Sequence, residues 1–288
     1  MKKILSLLLI VTLISTYSCK KDEKENPGGG GEEGPQKVEC MVTKTEYTDP
    51  NDANENETST YTNDDVKGLI KSYNRSLIGS SGPLDYTYSY IYEDEAKGLI
   101  DRIEILNGSD LLAKIEYTNV DDKISKRELV VQTTTGGWYS PNAWTVSYTY
   151  GSNGKVEQMR IEDNDLWGDP SPVPTDETAV LTFTGDNNTN TKWYDTSDIG
   201  GTVKEEYTYQ FDTKQRVFSN VKSLEYPNNS VNNITQLVNE KYGATPTTVT
   251  KVYTITYNSK DLPIKKDVAD DRGTALYTLQ YTYSNCGN

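Results

Sequence analysis

Three cysteines, at positions 19, 40 and 286, are the thiols of a 288-residue chain that has no histidine, 43 carboxylates and four tryptophans. Without histidine, Ser-His-Asp and Cys-His nucleophile systems and histidine-ligated metal sites have no members. The cysteines do not form a Cys-x-x-Cys spacing. The stretch "GSNGK" at 151–155 joins two alternating runs, not a strand to a helix, so it does not read as a phosphate-cradling loop. A pair of carboxylates at the right separation would suffice for glycoside hydrolysis, but nothing singles out one pair among so many. The chain reads as a non-enzyme that calls for no cofactor. Its formal charge of −14 opposes nucleic acid, which is bound largely through cationic contacts to phosphate.

Two weaker constellations remain. In "EDNDLWGDPSP", Asp163, Asp165, Gly168 and Asp169 have part of a calcium-loop spacing. Trp167 stands where that loop needs an oxygen ligand and Pro174 where it needs a terminal glutamate, so a solvated acidic turn competes with a cation site. Trp138, Tyr139, Trp144 and Trp167 lie in turn-rich stretches. Rigid rings on surface loops can stack on the apolar faces of sugar rings. The competing reading folds them back as caps on the hydrophobic core.

The N-terminus says where the chain works. Lys2 and Lys3 precede an apolar run, Ile4 to Ile14, broken only by Ser6 and Thr12. This is a secretory signal, too short for a bilayer-spanning helix of roughly 20 residues. Ser18 before Cys19 resembles the bacterial lipoprotein processing box. The resemblance implies that residues 1–18 are removed and that Cys19 carries a lipid such as palmitate, the only contact with the membrane; the alternative is ordinary cleavage that leaves a free thiol. Residues 19–36, charged and then glycine-rich, cannot bury enough apolar surface to offset their ordering entropy and read as a flexible tether. "CKKDEKE" also resembles the export signal of Bacteroidetes surface lipoproteins, which implies an outer-membrane protein facing the cell exterior. A merely solvated linker would look similar.

Residues 37–288 are long enough for one all-β domain. Outside the reducing cytoplasm, Cys40 and Cys286 form an even pair that a disulfide could join, closing a loop of about 245 residues; two free thiols are the alternative. The composition, 22 tyrosines against three phenylalanines and 34% hydrophobic residues, suits half-buried sheet surfaces, where a ring packs and its hydroxyl stays wet. In "DYTYSYIYEDEAKGLIDRIEIL", Tyr86, Tyr88, Tyr90 and Tyr92 alternate with Thr87, Ser89 and Ile91, and a charged turn with Gly98 leads into a second alternating run. The same strand, turn, strand unit recurs from Tyr61, Glu116, Tyr148, Tyr207 and Tyr253, and "YTLQYTYSNC" ends the chain as an unpaired half-unit. The prediction is an all-β antiparallel meander of repeated hairpins, able to curl into a soluble barrel-like sheet. One short helix is expected at 232–243, where Ile234, Leu237, Val238 and Tyr242 have near-helical spacing.

These Tyr-x-Tyr hairpins behind a lipoprotein signal resemble Bacteroidetes surface lipoproteins that carry a domain of unknown function with a porin-like fold and, more loosely, the YD repeats of bacterial surface and toxin shells. That resemblance implies a fold and brings no activity. A literal porin is disfavoured, because a membrane barrel needs an apolar outward face and here the alternate face holds Thr, Ser, Lys, Glu and Gln. The function expected is a lipid-anchored surface protein that captures a ligand, carbohydrate by way of its aromatic residues. The alternative is a structural or adhesive surface lipoprotein that meets a protein partner.

Overall fold

The structure, a computed structural model, describes residues 38–79, 82–133, 136–138, 143–163, 175–218, 230–284 and 286. Its elements are β1 (Met41–Thr48), β2 (Glu57–Asp64), β3 (Leu69–Gly79), β4 (Gly82–Asp94), β5 (Leu99–Asn107), β6 (Asp110–Val120), β7 (Lys123–Val131), β8 (Trp144–Tyr150), β9 (Val156–Asp163), β10 (Thr175–Thr184), β11 (Asn187–Asp195), β12 (Glu205–Gln215), β13 (Asn232–Lys241), β14 (Thr247–Tyr257), β15 (Pro263–Asp270) and β16 (Ala275–Ser284). Two single 3-10 turns are the helical pieces among the described residues. Each strand pairs antiparallel with the next, and β16 pairs with β1, so the meander closes into a barrel. Closure removes the open edges that an exposed sheet must otherwise protect.

Turn chemistry explains why the units repeat. Gly68 and Gly98 take φ of 71° and 74° in the β2–β3 and β4–β5 turns, and Asp121 and Asp122 adopt the left-handed region in the β6–β7 turn, a conformation that glycine and aspartate tolerate best. Asp64 and Asp94 each accept backbone N–H bonds two and three residues on, from Val66 and Lys67 and from Ala96 and Lys97. Turn lysines then reach acids of the neighbouring turns: Lys67 to Glu95, Lys97 to Asp122 at 2.7 Å, Lys155 to Asp186 at 2.8 Å, Lys214 to Asp261 at 2.6 Å and Lys260 to Glu39 at 3.6 Å. They form a discontinuous belt around one rim. This near rim also carries both ends of the barrel chain.

Three sequence expectations give way. Residues 232–241 are strand β13, not helix. The ladder with β12 slips between Gln210 and Phe211, which pair with Gln236 and Ile234, leaving Thr235 as the extra residue. A bulge of this kind changes the two-residue repeat to three, so Ile234 and Leu237 both face Phe211 and Tyr209 while mimicking helical spacing. A second irregularity in the same ladder, between Phe211 and Gln215, accounts for the unit beginning at Tyr207. Its supposed turn, Asp212 to Lys214, lies within β12, and the partner strand begins only at Asn232. The C-terminal run is likewise no unpaired half-unit, since β16 pairs on both sides.

Alternation sorts the wall into two faces. The inner face of β2–β10 is filled by Tyr61, Tyr73, Tyr88, Tyr90, Ile103, Ile115, Tyr117, Leu129, Val146, Tyr148 and Leu181, all buried. Tyr73 stacks on Tyr88 with centroids 4.4 Å apart. On the outer face, charges two residues apart pair along the strands: Lys44–Glu46, Arg102–Glu104, Lys114–Glu116, Lys126–Glu128, Arg160–Glu162 and Lys265–Asp267, at 2.5–2.9 Å. Each couple brackets one inward residue. Exposed pairs of this sort add little stability. Their consequence is that the middle of the wall is dressed for water.

Candidate functional site

Inside the barrel, β2–β10 and β12–β16 differ. Inward residues of β3–β8 are closed off, Tyr73 at 5% exposure and Leu129 at 1%. Inward residues of β12–β16, namely Tyr207, Tyr209, Leu237, Tyr253, Ile255, Tyr277, Leu279 and Tyr281, are only half-buried. Their parity places them inside: Tyr209 faces Leu237, Tyr253 faces Val268, and Val268 faces Tyr277. Half-burial on an inner face means that this side of the interior is incompletely filled.

Two lysines stand on this open wall. Lys251 opposes Leu237 and Asp270 across its two ladders; Lys266 opposes Ile255 and Leu279. Each holds its ammonium over a tyrosine of β16, Lys251 5.5 Å from the Tyr277 centroid and Lys266 5.9 Å from that of Tyr281. Among the described residues neither makes an ion pair, in contrast to the outer Lys265, which holds Asp267 at 2.8 Å. Enclosure by the wall pulls the Lys266 ammonium down to about 7, and the nearby Arg216 guanidinium pulls the same way against a smaller opposing pull from Asp212. Burial also lowers Lys251. Asp212 is occupied by the Tyr257 hydroxyl and by the backbone N–H groups of Lys214 and Asn233. Burial pushes the Tyr209 hydroxyl up to about 12, so it stays a neutral donor.

On the closed side one buried charge meets its counter-charge and another lies over rings. Arg75, 2% exposed, donates to Glu57 at 2.6 Å. Burial opposes the Arg75 charge, but Glu57 outweighs it and holds the guanidinium protonated. Arg127 lies inward over the rings of Trp144 at 5.4 Å and Tyr148 at 5.9 Å. At the end of β12 the chain turns inward: Val217 and Phe218 join the core, and Phe218, in the left-handed region at φ 66°, meets Tyr61.

The aromatic residues picked from the sequence do not form one platform. Trp138 lies on the outer wall, 39% exposed, with Lys114 Nζ 4.6 Å from its ring. Trp144 faces the opposite way and packs against the core, because it pairs with the inward Leu129. Tyr139 and Trp167 lie outside the described residues. Asp163 ends β9 beside Trp144; Asp165 and Asp169 lie outside the described residues, among which no group of three acidic, thiol or imidazole side chains is placed to hold a metal. Cys40 and Cys286 are bonded, with Sγ atoms 2.09 Å and Cα atoms 4.4 Å apart. They sit just before β1 and just after β16, at the closing seam. Cys19, with the signal and tether, lies outside the described residues. Among these residues no helix is long and apolar enough to cross a membrane.

What sequence reasoning missed was the pair of inward lysines. Lys265 and Lys266 are adjacent and chemically identical, and only the register decides which one faces in.

No protein-family model matches the sequence, and no curated protein is similar to it at a significant level. Solved structures do match in fold. A porin-like protein from Bacteroides uniformis aligns over 84% of this chain and 98% of its own, with a TM-score of 0.51 and 13% identity. A porin-like protein from Bacteroides vulgatus aligns over 85% and 99%, with a TM-score of 0.53 and 12% identity. At such identity the likeness is one of architecture.

Proposed function

We propose that this chain is a lipid-anchored barrel of the outer membrane, displayed on the cell surface, that captures an extracellular ligand inside its open wall. One observation carries the reading: charged couples dress the outer face, while aromatic rings and two lysines with no ion pair among the described residues face in. A barrel that spans lipid needs the reverse arrangement, an apolar band outside, and charges at mid-membrane depth are costly. The wall therefore stands in water, and attachment falls to Cys19. The porin-like neighbours support the architecture and an association with the outer membrane; the signal, the cysteine and the charged tether support the anchor and its display.

The test is fractionation of cells carrying the native chain or Cys19→Ala, with protease shaving of intact cells. The native chain should sediment with outer membranes and be shaved, whereas C19A should be recovered in soluble form. A C19A chain that stays embedded after alkaline extraction would show that the wall itself spans the membrane. Carbohydrate is the ligand class favoured by a tyrosine-lined wall, since sugar rings lie flat on aromatic faces. A blank glycan array from a displayed protein would move the reading to a structural or adhesive role.

A further inference from the structure

The open wall has a direction and a charge. Lys251 lies level with Asp270, the last residue of β15 before the β15–β16 turn, and Lys266 lies four residues deeper along β15. Their partner rings, Tyr277 and Tyr281, share one face of β16 four residues apart, about 14 Å at the usual rise of a strand. The approach is from the rim opposite the belt of turn ion pairs, the same rim that carries Trp138. Arg216 adds a third positive charge close to Lys266. The carboxylates nearest the strip are already engaged: Asp212 is bound to Tyr257 and backbone, and Asp270, opposite Lys251, to Arg272 and the backbone of its turn. A chain of net charge −14 thus keeps a strip of cations, spaced between rings, on the least filled part of its interior.

We propose that this strip binds an acidic saccharide, with its carboxylates at Lys251 and Lys266 and its ring faces on Tyr253, Tyr277 and Tyr281. The proposal rests on the capture reading above and narrows it to a charge class. Neutral sugar would leave two enclosed amines without a counter-charge, and an apolar ligand would strip what water they keep, the costly arrangement for their charged form. A carboxylate on a ring satisfies both features of the wall.

Calorimetric titration of the purified full chain tests it, with uronic-acid oligosaccharides as probes and their methyl esters as uncharged counterparts of the same shape. The acids should bind, the esters at least tenfold more weakly. Lys266→Gln should weaken the acids at least tenfold, and the outward Lys265→Gln should leave them unchanged. Equal binding of acid and ester, undiminished binding by K266Q, or no binding of any uronic acid would each overturn the proposal. A measurement on the unmutated chain stands beside these: at pH 7.5 Lys266 should be reductively methylated faster than Lys265, and bound acid should protect it. Equal rates for the two lysines, or no protection, would also overturn it. None of these results bears on Cys19 or on display, which fractionation and shaving decide separately.

Discussion

Phe218 meets Tyr61 edge-on, with ring centroids 5.4 Å apart, although β13, β14, β15, β16 and β1 stand between their strands on the shorter way round the wall. Contact between residues so far apart on the circumference can only be made through the interior. The end of β12 therefore reaches across the barrel and joins two arcs of wall that no hydrogen-bond ladder connects.

Removing that contact should cost far more than removing an exposed ring. Phe218→Ala should lower stability by about 3–5 kcal/mol, the usual loss for a buried phenylalanine, as measured by urea unfolding. Trp138→Ala, on the outer wall, should fall within about 1 kcal/mol of the native chain, while Trp144→Ala should resemble Phe218→Ala. A Trp144→Ala chain as stable as Trp138→Ala would contradict the inward placement of that ring.

The Arg75–Glu57 couple should behave as a buried ion pair does. Glu57→Gln leaves a guanidinium at 2% exposure without its counter-charge, and such single truncations cost about 3–5 kcal/mol. Replacing both residues by methionine should recover most of that loss. A double variant no more stable than Glu57→Gln would argue that the pair has no such coupling.

Lys266 should leave a pH signature. In the unfolded chain a lysine keeps its proton to about 10.4, whereas in the folded barrel Lys266, facing Arg216, Asp212 and Tyr281, gives it up near 7. Between those values the unfolded state binds more protons, so native stability attributable to this residue rises with pH. Lys266→Met should thus be more stable than the native chain at pH 6 to 7, with an advantage that shrinks towards pH 10. Urea midpoints across that range give the comparison; a gap independent of pH would refute it.

The Cys40–Cys286 bond should matter through the unfolded state. It spans 246 residues, and by the chain-entropy account closing a loop of that size is worth about 5 kcal/mol. Cys40→Ser with Cys286→Ser should unfold at markedly lower urea than the oxidised native chain, and reductant should shift the native chain alone.

Much of the architecture is written in local pattern. Tyr86, Tyr88, Tyr90 and Tyr92 announce an inner face by alternation, and Gly98 marks the turn that follows. Pattern fails where the ladder slips. Thr235 turns a two-residue repeat into a false helical one, and Asp212 to Lys214 have turn composition yet continue a strand, because Asn233 of the adjacent β13 and Tyr257 of β14 hold the Asp212 carboxylate and the Lys214 carbonyl. The candidate site was less legible for a related reason. Which of two adjacent lysines faces inward depends on pairings with Ile255 and Leu279, long-range facts that no window of sequence contains. Trp138 and Trp144 differ by the same logic: six residues apart, they fall on opposite sides of one wall.

If the barrel is held through Cys19, as proposed above, the bond between Cys40 and Cys286 has a mechanical meaning. A pull on the tether arrives at Cys40, at the head of β1, and would peel that strand from its neighbours one hydrogen bond after another, the weakest way to load a sheet. With the crosslink in place the pull passes at once to the last strand, so both sides of the seam share the load. Shear from flow or from a bound polymer would then drag the closed barrel as one body instead of unzipping it.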